Sequence, residues 1–300
     1  MTGHAHSHRP DAAVDRRRLL VVLLITAAVL VAEVVGALLS GSLALLADAG
    51  HMATDAAGIG LSLLAMWFAA RPSSPSRTFG FHRLEILAAV ANALVLCGVG
   101  VYILVEAVLR MLDPPQVASG TIMVFGAVGL AGNAVSLALL RQGQAESLNL
   151  RGAFLEVLND LLGSAAVLLA GAVIWFSGFL RADAIASALV GLLILPRTWR
   201  LLREALDVLL EAAPKGVDLA EVRRHLLEDR GVVEVHDLHA WTITSGMPVL
   251  SAHIVVSDPS ASGQVLDRLC DCLRGHFDID HSTIQVEPAG HRHHEGTTHP

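Results

Sequence analysis

Charge is scarce in this chain. Only 16% of its 300 residues are acidic or basic, against 53% hydrophobic and a mean hydropathy of +0.57. That balance argues against a soluble globular protein and for an integral membrane one. Lysine occurs once, at Lys215, so nearly all positive charge is arginine. Three cysteines, Cys97, Cys270 and Cys272, are too few for a disulfide framework. The Cys270-Asp-Cys272 pair reads more readily as two inert thiols on a helix than as a soft-metal site. A phosphate-binding glycine loop, a nucleotide fingerprint and a Ser/His/Asp arrangement are all missing, so nothing supports an enzyme. No nucleic-acid partner is expected.

What the chain has instead is long apolar runs. Leu19 to Leu39 is long enough to cross a hydrocarbon core of about 30 Å. It is too long for a signal peptide and is interrupted by Glu33, so it reads as an uncleaved first helix. Further spans are predicted over 43–70, 84–109, 119–140, 152–178 and 184–202. The sixth is the shortest: its clean apolar run, Ala184 to Leu195, meets Pro196. With the N-terminus inside, the inner segments hold twelve arginines and the outer loops only Arg110 and Arg181, which puts both termini in the cytoplasm.

After Pro214 the pattern becomes that of a small soluble domain. A helix from Leu219, strands at Val232–Thr242 and Val249–Ser257, a helix over Ser262–Phe277 and a strand over Ser282–Glu287 give an α-β-β-α-β order. The fold class is therefore an α-helical membrane protein with six transmembrane helices plus a C-terminal cytoplasmic α+β domain. Its expected domains are a His-containing cytoplasmic tail over 1–18, the six-helix transmembrane domain over 19–203, the cytoplasmic domain over 204–288 and a His-rich disordered tail over 289–300. A self-associating cytoplasmic domain would offset its small size.

Within the spans a few polar residues stand out. Asp48, His51 and Asp55 recur at i, i+3 and i+7, on one face of the second helix. His51 is the only histidine inside a span. In the fifth helix Glu156 and Asp160 are four apart and share a face. Ionisable groups at membrane depth are costly unless they meet a partner or a wet cavity, so they mark function. If the two helices pack together, His51, Asp55, Glu156 and Asp160 supply one nitrogen and three carboxylates to a divalent cation, most simply tetrahedral zinc. Glu33, Asn92, Glu106 and Asn133 read first as interhelical hydrogen-bond partners. Asp48 reads as a guiding group outside the ligand set.

These residues resemble the cation diffusion facilitator family. The resemblance rests on His51-x-x-x-Asp55, on Phe79-Gly-Phe-His82-Arg83-x-Glu85, and on Asn149-Leu-Arg-Gly-Ala-Phe-Leu with Asp160 and Gly163-Ser164. Val235-His236-Asp-Leu-His239-Ala-Trp241 and His281-Ser-Thr-Ile-Gln-Val-Glu287 carry it into the tail. It implies export of divalent metal from the cytoplasm in exchange for protons, by a homodimer with a ferredoxin-like cytoplasmic domain, in the bacterial inner (plasma) membrane and in contact with its lipid. His51, Asp55 and Asp160 match the motif of zinc-transporting members; Glu156 stands where those members have histidine. A carboxylate there shifts the site toward oxygen-loving ions, so cobalt, nickel, cadmium, iron and manganese stay beside zinc. The resemblance further implies cytoplasmic ligands at His236, His253 and Glu287, with His239 behind them because simple alternation turns it away. It also suggests a bridge between His82 and His281. The His4-Ala-His6-Ser-His8 run is an additional candidate for catching metal. A non-transporting membrane metal sensor and a passive channel are the rival readings.

Overall fold

Ser40-Gly41-Ser42 breaks the first long apolar run, and Gly41 makes the turn with a φ of +70°, a region open to glycine at little cost. The computed structural model describes residues 12–141 and 148–291, with side chains from 17 and from 150 in the two stretches. The runs holding His4, His6 and His8, and His293, His294 and His299, lie outside the described residues. Six helices follow one another: α1 (Ala12–Ser40), α2 (Leu43–Ala69), α3 (Leu84–Leu112), α4 (Ser119–Arg141), α5 (Leu148–Ser177) and α6 (Arg181–Leu209). All six are long and apolar enough to cross a membrane.

Their burial is that of a bundle made for lipid. Leu38 is 78% exposed, Phe176 82% and Leu193 68%, while Glu33 and Asn133 are fully buried. Apolar side chains face outward, where hydrocarbon would meet them, and the polar ones pair inside. Small residues bring the helices together: a Cβ on Gly126 of α4 would sit 3.3 Å from the backbone of Leu168 in α5.

Three boundaries depart furthest from the sequence pattern. α1 begins at Ala12, ahead of 19. α5 starts at Leu148, ahead of 152, and α6 passes through Pro196 to Leu209, beyond 202. Proline removes one helical hydrogen bond, yet buried helices tolerate it where neighbours settle the freed groups. Two residues on, the Thr198 hydroxyl donates to the Ile194 carbonyl at 3.0 Å.

The tail forms α7 (Leu219–Leu227), β1 (Val232–Thr242), β2 (Pro248–Val256), α8 (Ser262–Phe277) and β3 (His281–Pro288). The sheet order is β1-β2-β3, antiparallel and then parallel. The parallel step follows from the α8 crossover between β2 and β3. α7 and α8 bury Val222, Leu226, Leu269 and Leu273 against Leu250 and Ile254. β1 carries an irregularity between His236 and His239, with Asp237 at a φ of +48°. One extra residue there shifts the register: His236 faces His253, and His239 faces Ser251.

The chain divides into two compact units, one of residues 1–60 with 92–200 and one of 61–91 with 201–300.

Candidate metal sites

The first unit gathers its acidic residues around one imidazole. His51 Nε2 lies 3.5 Å from Asp55 Oδ2, 3.9 Å from Glu156 Oε1 and 3.9 Å from Asp160 Oδ1. All four ligands anticipated on α2 and α5 therefore surround one point. His51, Glu156 and Asp160 each bring one ligand atom within 4.8 Å of the others; Asp55 stands at the edge of that group, on His51. Two buried atoms here, His51 Nδ1 and Asp160 Oδ1, make no hydrogen bond among the described residues. Buried polar groups are seldom left so, and a cation is a partner that suits the Asp160 oxygen.

The second group lies in the sheet, with one residue from each strand. His236 on β1, His253 on β2 and Glu287 on β3 bring ligand atoms within 4.8 Å of one another. His253 Nδ1 is 2.9 Å from Glu287 Oε1, and His236 Nε2 is 3.5 Å from Glu287 Oε2. Glu287 is nearly fully buried, and its Oε2 accepts no hydrogen bond among the described residues. Two imidazoles and a carboxylate suit zinc.

Two family models match this chain: the cation efflux transmembrane domain over residues 19–210 and the cation efflux protein cytoplasmic domain over 214–289. The chain belongs to the cation diffusion facilitator family. It is 46% identical to the metal cation efflux system protein CzcD of Cupriavidus metallidurans, over 96% of this chain and 90% of that one. It is 42% identical to the zinc transporter ZitB of Escherichia coli, over 95% and 91%. A cadmium, cobalt and zinc/H(+)-K(+) antiporter of Bacillus subtilis is 36% identical over 96% and 93%. The solved metal-bound C-terminal domain of CzcD from C. metallidurans is 45% identical, covering 24% of this chain and 99% of that domain with a TM-score of 0.22. A cation diffusion facilitator is a transporter and not an enzyme.

Seen as such a transporter, the first unit holds partners that the sequence pattern does not reveal. Arg197 of α6 grips Glu156 at both oxygens, Nη1 on Oε1 at 2.8 Å and Nη2 on Oε2. Asp183, also on α6, caps the start of α2: its carboxylate accepts from the backbone N–H of Leu43 at 2.8 Å and of Ala44 at 3.3 Å, and from the Ser42 hydroxyl. Helix N-termini carry unsatisfied N–H groups and favour an anion. Asp183 thus fixes the entry of the helix that bears His51 and Asp55.

Beyond the ligands lies a sealed polar group. The Ser164 hydroxyl is 3.3 Å from Glu33 Oε1 and 3.1 Å from Asp48 Oδ2, and Asn133 Nδ2 donates to it at 3.1 Å. Glu33 and Asn133 are interhelical partners here, while Glu106 pairs with Arg110 one turn on, at 3.0 Å.

In the second unit the loop motif meets the sheet domain. Arg83 Nη2 donates to Glu211 Oε1 at 2.9 Å, and Glu85 accepts from Thr244 and from Ser245. His281 packs edge-on against Phe79, with centroids 5.5 Å apart. His82 and His281 fall in none of the three-ligand clusters among the described residues. The bulge revises the place of His239: facing Ser251, it comes round to the His236 side. Its Nε2 contacts Asp237 Oδ1 at 2.9 Å, and Asp237 Oδ2 is 3.7 Å from His253 Nε2.

Proposed function

We propose that this protein exports divalent metal from the cytoplasm, zinc foremost, in exchange for protons. The observation that carries the reading is the convergence of three carboxylates from α2 and α5 on His51 Nε2, within 3.5–3.9 Å. With the site open inward, His51, Asp55, Glu156 and Asp160 capture a hydrated cation and displace its water. Three carboxylates and a divalent ion leave one net negative charge, which the adjacent Arg197 offsets. Once the ion leaves, the uncompensated carboxylates take up protons, and that competition couples the two flows. The names of these relatives support zinc, cadmium or cobalt as cargo.

The arginine distribution supports cytoplasmic termini. The small cytoplasmic domain supports a homodimer. Metal held by His236, His253 and Glu287 then regulates transport.

Reconstituted vesicles test the reading. Asp55→Ala and Asp160→Ala each abolish pH-driven zinc uptake while leaving the helical circular-dichroism signal intact. Normal uptake in both variants would dispose of the exporter. A panel of divalent metals, run on the wild type and on Glu156→His, ranks the cargo: the histidine variant favours zinc more strongly over manganese. Uptake that proceeds without any pH gradient favours a channel instead.

A further inference from the structure

The second unit carries a group of donors that the transport reading leaves unused. His225 on α7, with Cys272 and His276 on α8, each place one ligating atom within 4.8 Å of the other two. Cys272 and His276 are four residues apart, so one face of α8 presents them together. The His225 and His276 rings lie 5.1 Å apart between centroids, and His225 stands edge-on to Phe277 at 5.2 Å, which holds its ring in place. His276 Nδ1 is 3.3 Å from the Cys272 carbonyl oxygen, a contact that orients the second imidazole.

Cys270 belongs elsewhere. Its Sγ lies 3.8 Å from Ser282 Oγ of β3, on the sheet side of α8. The two thiols of Cys270-Asp-Cys272 thus point to different neighbours, and Cys272 finds its companions on another helix.

We propose that His225, Cys272 and His276 bind a thiophilic divalent cation of the zinc and cadmium class, tying α7 to α8. One thiolate and two imidazoles form a donor set that selects borderline and soft ions over magnesium or manganese, and three ligands leave a fourth tetrahedral position open. The neighbourhood is acidic, with His225 Nε2 3.9 Å from Glu221 Oε1. The site does not depend on the transport reading, because none of the residues in the other two clusters is a cysteine.

That difference supplies the test. Co2+ is titrated into the reduced, purified full-length protein, and the near-ultraviolet thiolate-to-cobalt charge-transfer band is followed. The band is expected in the wild type and in a Cys97→Ser, Cys270→Ser double variant. It disappears in Cys272→Ser, and His225→Ala or His276→Ala weakens cobalt binding by more than about tenfold, the size of loss that even second-shell changes produce. Zn2+ bleaches the band and Mg2+ does not. No band in the reduced wild type, or a band that survives Cys272→Ser, overturns the site. These substitutions leave the buried Val222, Leu226, Leu269 and Leu273 of the same helix pair untouched, so the fold is retained.

Discussion

Glu156 is held at both oxygens by Arg197, so a metal ion that takes this carboxylate has to displace a cation already there. The pair is part-exposed, 30% at Glu156 and 43% at Arg197, which discounts its strength to about 1.4 kcal/mol, or about tenfold in affinity. Arg197→Ala is therefore expected to tighten zinc binding at the transport site by about tenfold in calorimetry and to slow release in vesicles. In a Glu156→His background the same substitution should change affinity little, because the partner is gone; additive effects in that double-mutant cycle would contradict the idea. The ligands themselves were legible because their spacing is local: His51 and Asp55, like Glu156 and Asp160, are one helical turn apart. Arg197 was not, since only the packing of α5 on α6 brings it to Glu156. Asp237 escaped, and His239 was ranked behind its neighbours, for another reason: a bulge breaks the two-residue period on which strand reasoning depends.

At the scale of elements, the position of α2 matters most, because it carries half of the transport ligands. Its first free N–H groups are answered by Asp183 from another helix, 140 residues away for Leu43. Asp183→Ala removes the acceptor and leaves buried donors without a partner, a loss of about 2 kcal/mol. The expected result is a lower melting temperature in detergent and reduced zinc uptake, with Asp183→Asn intermediate because its amide oxygen still accepts. An unchanged melting temperature for Asp183→Ala would show that water caps α2 equally well. Close approach matters on the far side of the ligands too: a Cβ on Gly163 would come within 2.5 Å of Asp48 Oδ1. All six membrane helices and the five main tail elements could be read from apolar run length and periodicity. The span over 184–202 already ran past Pro196 but ended short of Leu209, because the apolar run gives out among Arg197, Arg200 and Arg203 while the helix itself continues.

For the molecule as a whole, candidate metal ligands lie in both compact units, and each can be examined alone. The transport ligands lie entirely in residues 1–60 and 92–200, and the sheet ligands entirely in residues 201–300. His236, His253 and Glu287 come from three different strands, so an ion held there ties the sheet together across its full width. Binding to the folded form alone stabilises it by about 2.7 kcal/mol when free metal is a hundred times its dissociation constant. Zinc should therefore raise the melting temperature of the cytoplasmic domain in the full-length protein, and a chelator should reverse the rise. A His236→Ala, His253→Ala, Glu287→Ala triple variant is expected to lose most of the shift, while Asp160→Ala keeps it, because that residue belongs to the other unit. The same triple variant in transport assays separates regulation from mere reinforcement: a vanished thermal shift with unaltered zinc kinetics means that the ion strengthens the sheet and does nothing to the flux.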